Sequence, residues 1–499
     1  MMSFRRWSKI RFMHYSILLL ATAILVRASA ANENIAVGGR TKASTKTTVS
    51  ALLLSDIHFE PFWDPGKIAQ LAAAPAKEWK TVLAAHASPD QQQRFASLQQ
   101  TCHARGTDTQ YALWASSLAA MRARAADASF ITISGDVIAH AFSCKYKTLF
   151  PNASEDDYRG FVAKTIAYVL SDLRSSFPGI PVYAALGNND SGCGDYRLDP
   201  SSAFLASISD TITEGFPAAE RGSAKKSLAT GGFYSVSLPF KHTQLLVLDD
   251  LFMSRKYRTC ADNEDSAPAA AQLTWLREEL LKARRAHEKV WVMGHIPPGI
   301  DPHATAVKMT NVCGGKVPEM FLSSDRLADT LAEFGDIIQL GIFAHTHMDE
   351  VRLLKPESNS ASSVSRQDVA IKMISSISPI DGNRPSFTVA VVDPSTAILR
   401  DYRVFTASDA NGAQTVWTEE YDFAQTYHEP DFSSSTVKTL IEGFRTDPGA
   451  ETEASKSYIK NYFLRDQSFE LRPFWSQYVC ALSNHSADSY RECACATSH

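Results

Sequence analysis

Charge of one sign is missing from this sequence. Its 50 lysines and arginines and 54 aspartates and glutamates leave a formal net charge of −4, and no long basic run breaks the mixture. The chain therefore carries no electrostatic footprint for a nucleic-acid backbone or an anionic membrane, and at most peripheral membrane contact is expected. Cysteine pairs with two residues between them are missing too. None of the eight forms a Cys-x-x-Cys pair, and Cys493-Ala494-Cys495 stands alone near the terminus, which excludes a zinc ribbon. Downstream of the first thirty residues no apolar run is long enough to suggest a second membrane span. No internal repeat or low-complexity tract stands out, and nothing in the pattern speaks to oligomeric state.

What is present is an ordinary globular composition, 499 residues with 44% hydrophobic and 21% charged, long enough for one large core and a smaller appendage. Arg5, Arg6, Lys9 and Arg11 precede an apolar run at 17–26 that is followed by Ala28-Ser29-Ala30. This predicts a signal peptide over 1–30, cut after Ala30, with an uncleaved anchor as the alternative. The expected destination is the extracellular space or a lysosome-like compartment on the secretory route. An even cysteine count in an exported chain predicts structural disulfides, with connectivity open. Asn152-Ala153-Ser154 and Asn484-His485-Ser486 are glycosylation sequons consistent with export.

Residues 31–47 read as a polar linker, and the folded body begins near Thr48. Short apolar, β-branched runs at 49–54, 129–133, 182–186, 244–248, 290–293 and 337–343 predict buried strands. Helical spacing lies between them, at 111–125, 158–173, 271–286 and 324–334. The alternation predicts an α/β architecture with sheets covered by helices. Three further runs at 370–377, 387–392 and 398–405, with no helix between them, suit an added antiparallel sheet or edge, making a two-sheet sandwich flanked by helices. Past Thr406 the pattern turns helical, at 434–444 and 455–464, and three of the eight cysteines fall in the last twenty residues. The expected organisation is a main domain at 48–405 and a small helical, cysteine-containing cap at 406–499.

The informative feature is what ends each strand. The first run ends in Ser55-Asp56-Ile57-His58, the second in Gly135-Asp136, and the third in Gly187-Asn188-Asn189-Asp190. The fifth ends in Gly294-His295 and the sixth in His345-Thr346-His347. Ligands bind α/β sheets at the carboxyl ends of their strands, so these side chains are expected to converge. Glycine ahead of Asp136, Asn188 and His295 is read as permitting a tight turn that lifts each side chain out of its strand. Imidazole, carboxylate and amide oxygen are ligands for zinc, iron or manganese. A two-metal site, with cations about 3.5–4 Å apart, clamps a phosphoryl group during in-line displacement by a shared hydroxide.

The order Asp-x-His, Gly-Asp, Gly-Asn, Gly-His, His-x-His resembles the calcineurin-like metallophosphoesterase superfamily. Leu53-Leu54-Ser55-Asp56-Ile57-His58-Phe59, Gly294-His295-Ile296-Pro297-Pro298-Gly299 and His345-Thr346-His347-Met348-Asp349-Glu350 look like its acid sphingomyelinase-like phosphodiesterases. So do Ser375-Ser376-Ile377-Ser378-Pro379-Ile380 and Asn383-Arg384-Pro385-Ser386-Phe387. The resemblance covers about 50–405 and makes the main domain a metallophosphoesterase catalytic domain. It implies that Asp56, His58, Asp136 and His347 hold one metal, and that Asp136, Asn188, His295 and His345 hold the other, with Asp136 bridging. It also implies zinc as the metal. His140, in Gly-Asp-Val-Ile-Ala-His, matches a histidine that contacts the phosphate and protonates the leaving group.

Two positions depart from that family. Asn189 stands where histidine usually follows Gly-Asn and supplies no proton near neutral pH; it is expected to orient the phosphate by hydrogen bonding. Ala344 replaces the glycine that usually precedes the histidine pair, a tolerable backbone change. The Asn-Asn-Asp word is similar to that of endopolyphosphatases and lends weight to phosphoanhydride substrates. The sequence shows no room before the catalytic part for a lipid-presenting saposin domain, which favours a soluble phosphodiester over sphingomyelin. The expected function is a secreted phosphodiesterase. Its rivals are a polyphosphate or nucleotide pyrophosphate hydrolase, an inactive metal-binding protein, and a disulfide-stabilised binding domain without metal.

Overall fold

The computed structural model describes residues 48–356, 367–412, 414–465 and 468–496. The predicted signal peptide and linker, 1–47, lie outside them. The first strands are β1 (Val49–Leu54), β2 (Phe130–Ile133) and β3 (Val182–Ala184). Next come β4 (Tyr234–Ser237), β5 (Thr243–Val247), β6 (Lys289–Met293), β7 (Ile338–Phe343), β8 (Glu350–Leu354) and β9 (Val369–Met373). The last are β10 (Ser386–Val392), β11 (Leu399–Ala407) and β12 (Trp417–Asp422). They form two six-stranded sheets, ordered β12-β11-β10-β1-β2-β3 and β4-β5-β6-β7-β9-β8. The fold is the expected α/β two-sheet sandwich flanked by helices.

Each sheet contains a run of parallel strands: β1, β2 and the edge strand β3 in one, and β5, β6, β7 and β9 in the other. Buried on both faces, they read as continuous apolar runs, which is why the sequence pattern finds them. The rest of the pattern is harder to see. β10 and β11 extend the first sheet antiparallel from β1, as the pattern suggested, but the run at 370–377 does not join them. Its strand β9 pairs parallel with β7 in the second sheet, and β8 closes that edge antiparallel to β9. β8 hides from a hydrophobicity reading because Glu350, its first residue, and Arg352, its middle one, are buried charges at 1% and 2% exposure. They are 3.4 Å apart, and the Tyr478 hydroxyl donates to Glu350 at 3.0 Å. β12 lies beyond position 405, so the first sheet continues to Asp422 before the helices of the C-terminal region begin.

One core lies between the sheets, joining Leu52, Ile131 and Val389 of the first to Trp291, Leu340 and Ile342 of the second. A second core sits under the helix Ala267–Arg285, whose Leu273, Leu276 and Leu280 pack on Val290, Val292 and Phe343. The helix Glu155–Ser176 starts at a capping box in which Ser154 and Asp157 satisfy each other's backbone amides. The helices Ser434–Arg445, Glu453–Tyr462 and Trp475–Ser483 meet through the rings of Phe444, Tyr458 and Trp475. All eight cysteines pair, as 102–144, 193–260, 313–495 and 480–493. No helix among the described residues is long and apolar enough to cross a membrane.

Candidate metal centre

The loops leaving β1 and β2 are tied together by their backbones. The Asp56 amide donates to the Gly135 carbonyl at 3.1 Å, and the His58 amide to that of Asp136 at 2.9 Å. Five of the seven side chains singled out as ligands then sit on left-handed backbone: Asp56 and His58 at φ 43°, Asp136 at 53°, His345 at 73° and His347 at 66°. Each such residue costs about 1–2 kcal/mol, and a cluster of them marks a surface whose shape is set by what it binds. The glycines do a different job from the one the sequence suggests. Gly135 alone of the three has a positive φ, 93°. Gly187 is required by proximity, since a Cβ there would lie 2.1 Å from an Asp136 carboxylate oxygen. Ala344 keeps ordinary backbone and needs no glycine.

The seven side chains converge on Asp136. Its Oδ2 lies 3.5 Å from His58 Nε2 and 3.2 Å from His295 Nε2. On one side, His58 Nε2 is 3.1 Å from His347 Nε2, which is 3.4 Å from Asp56 Oδ1. On the other, His295 Nε2 is 3.1 Å from Asn188 Oδ1 and 3.3 Å from His345 Nδ1. His58 Nδ1 donates to the Ile138 carbonyl at 2.9 Å and His295 Nδ1 to that of Ser134 at 2.8 Å. Those acceptors hold a proton on Nδ1 and turn each Nε2 inward, the atom left to meet a cation once its own proton is gone. Neither carboxylate oxygen of Asp56, which is fully buried, finds a hydrogen-bond donor. Orphaned carboxylate oxygens at zero exposure, ringed by imidazole nitrogens, are expensive unless a cation occupies their midst. The donor set, imidazole nitrogen with carboxylate and amide oxygen, fits divalent transition metals.

Residues 50–349 match the family model for calcineurin-like phosphoesterases. The chain belongs to that family. It is a metal-dependent phosphoric ester hydrolase, and its relatives are acid sphingomyelinase-like phosphodiesterases. It is 23% identical over 395 residues to the cyclic GMP-AMP phosphodiesterase SMPDL3A of Mus musculus, covering 77% of this chain and 81% of the relative. It is 24% identical over 397 residues to the acid sphingomyelinase-like phosphodiesterase 3b of Homo sapiens, covering 77% and 80%. A dimetal phosphatase from Danio rerio superposes with a TM-score of 0.37 at 12% identity, covering 71% of this chain and 95% of that one.

Electrostatics divide the four histidines around Asp136 into two kinds. Burial, reinforced by the charge of His295, holds His345 down at about 3. Burial likewise holds His347 down at about 4, so both imidazoles stay neutral well into acid. Burial also opposes charge on His58 and His295, but the carboxylates around them prevail, Asp136 foremost, and raise them to about 9 and about 10.

Asn189 does not face the cleft. It is 5% exposed, and its backbone and side-chain amides both donate to the Asp136 carboxylate at 2.8 Å. The expectation that it orients the substrate phosphate is corrected accordingly: the side chain fixes Asp136. Asn188 is aimed by Asp195, which accepts its amide at 2.7 Å.

His140 lies in the cleft wall, its ring stacked on that of His58 with centroids 3.9 Å apart. Asp108, which sequence reasoning missed, accepts its backbone amide at 2.8 Å and its Nδ1 at 3.0 Å, and takes the Ser378 hydroxyl at 2.7 Å. Cys102–Cys144 ties the stretch before Asp108 to the helix Phe142–Leu149 after His140. Behind them Lys145 pairs with Glu60, both buried.

Two further buried carboxylates brace the loops. Asp190 accepts the amides of Val137, Ile138 and Gly187 at 2.8, 3.0 and 3.0 Å, although burial and the charge of Asp136 push its carboxyl up to about 7. Asp250 accepts those of His295 and Ile296 at 2.8 and 3.0 Å. The strand-end rule that found the ligands also reaches Asp250, three residues past β5. Asp108, in a loop without apolar pattern, left no such signal. The cleft holds about 380 Å³, and Arg105, Lys256 and Tyr196 stand in its wall with the ligands.

Proposed function

We infer that this enzyme hydrolyses phosphodiesters in a cleft organised by two divalent cations, most simply zinc. Asp56, His58, Asp136 and His347 would hold one, and Asp136, Asn188, His295 and His345 the other. The observation that carries this reading is the array of imidazole nitrogens turned toward Asp136, with the Asp56 carboxylate beside it lacking any hydrogen-bond donor. When bound, such a pair supplies an acidified water and positive charge for the phosphoryl oxygens.

The chain's own residues do the rest. Asn189 clamps the Asp136 carboxylate so that it can serve both sides. Asp108 holds His140 by Nδ1, leaving Nε2 as the atom that delivers a proton to the leaving oxygen. Arg105 and Lys256 offer cationic contacts to non-bridging oxygens. The relatives named for cyclic GMP-AMP, a sphingomyelinase-like activity and phosphodiester cleavage support a diester as the substrate class. All eight cysteines in disulfides support passage through the secretory route.

The test is metal content and turnover of the purified protein with bis(p-nitrophenyl) phosphate, sphingomyelin, ATP and polyphosphate, against Asp136→Asn. Two metals per chain and diester cleavage lost in the variant are expected. Anhydride cleavage alone would move the enzyme to the polyphosphatases, and two metals without turnover would make it a binding protein.

A further inference from the structure

Between 302 and 318 the chain has no acidic residue and carries His303, Lys308 and Lys316. Of the four large hydrophobic side chains that stand exposed among the described residues, three are on this strap: Val307 at 66%, Met309 at 87% and Val317 at 63%. Single exposed apolar residues are ordinary, but a group of them on one short segment is not.

Poor anchoring does not explain the exposure. The inner side of the strap is fixed, with Val312 packed beside Ile300 against Ala481, Tyr490 and Ala494 of the C-terminal helices. Cys313 is bonded to Cys495. Thr305 donates to the Asp301 carbonyl at 2.7 Å and accepts the Glu319 amide at 2.9 Å. Glu319 takes both Lys308 at 3.0 Å and Arg255 at 3.2 Å, so the flank stays net positive. Lys316 has no ion-pair partner among the described residues.

The root of the strap is part of the active site, because Asp301, Pro302 and His303 line the metal cleft. Pro302 also lines a groove of about 320 Å³, walled by Met309, Val312, Phe474 and Tyr490, between the strap and the C-terminal helices.

We propose that strap 302–318 docks the enzyme on an anionic lipid bilayer, Val307, Met309 and Val317 entering its apolar boundary while Lys308 and Lys316 meet the headgroups. The cleft then takes phosphodiester headgroups from that surface; this second step rests on the phosphodiesterase reading, whereas docking does not. The composition favours lipid over a protein partner. Protein interfaces are rich in aromatics, methionine and arginine and poor in lysine; the strap's one methionine suits either surface, but it has two lysines and no phenylalanine, tyrosine, tryptophan or arginine. Apolar side chains with basic neighbours are the pattern of interfacial membrane binding.

The experiment is co-sedimentation of the full chain with vesicles of phosphatidylcholine alone and of phosphatidylcholine with an equal part of phosphatidylserine. Turnover of bis(p-nitrophenyl) phosphate in solution is followed alongside. The expected result is binding to the anionic vesicles that weakens with salt. Met309→Glu should reduce it by more than about tenfold and Lys316→Ala by about fivefold, with soluble turnover unchanged in both. Absence of binding by the unaltered protein, or equal binding by Met309→Glu, overturns the proposal. A Met309-dependent dimer in light scattering without vesicle binding overturns it in favour of a second copy. Vesicle binding by a protein that cleaves no diester sustains docking and removes the phosphodiesterase reading; diester cleavage without vesicle binding does the reverse.

Discussion

Replacing Asp108 by Asn tests how the leaving group is protonated. Asp108 is 1% exposed and holds His140 through both the backbone amide and Nδ1, at 2.8 and 3.0 Å. Asparagine keeps the volume and one acceptor for the backbone amide, so the loop should stay in place. What disappears is the negative charge facing the imidazole and, with an NH2 in place of Oδ1, the acceptor for its Nδ1 proton. A hydrogen bond to a charged partner is worth about 1.5–3 kcal/mol, which converts to a loss of about 10- to 150-fold in kcat. The loss should depend on the leaving group. A p-nitrophenolate departs without a proton, so bis(p-nitrophenyl) phosphate should be cleaved within about threefold of the unaltered rate, whereas an alkyl phosphodiester should show the full deficit. Single-turnover rates on the two substrates make the comparison. An equal loss on both, or none on the alkyl ester, would refute the assignment of His140 as proton donor and of Asp108 as the residue that positions it.

Asn189→Ala removes one of the two amide donors on Asp136, and metal affinity should fall by about 10- to 100-fold in competition with a chromogenic chelator. Asn189→His should not raise activity, because the side chain is turned toward Asp136 and away from the cleft. Replacing Cys102 and Cys144 together by serine opens a loop of sequence separation 42. This should cost about 4 kcal/mol, read from the guanidinium midpoint. Metal binding should depend on pH. With His58 raised to about 9 and His295 to about 10, the cation-free enzyme carries both protons at neutral pH. They must leave when a cation enters, so affinity climbs as pH rises toward 9, and titration calorimetry in buffers of different ionisation enthalpy should report about two protons released. The cation-free fold shows the opposite sign: the stability these two imidazoliums contribute is complete below about 6.5 and is lost as pH rises through 9 and 10.

Buried strands and candidate ligands were legible in the sequence for one physical reason. A strand buried on both faces must be continuously apolar, so the polar residues that end it stand out. Asp56, His58, Asp136, Asn188, His295, His345 and His347 are all found that way, and the fold then brings them together. The same contrast hides β8, whose buried Glu350 and Arg352 satisfy each other and Tyr478, and β12, an edge strand half open to water. Tertiary structure alone decided which cysteines pair, because chain separation says nothing of spatial approach. It decided that Asn189 serves Asp136 and that Asp108 serves His140 across 32 residues. It also decided which side of strap 302–318 meets water: periodicity places Val307, Met309 and Val312 on an equal footing, and only packing against the C-terminal helices buries Val312 and leaves the other two outside.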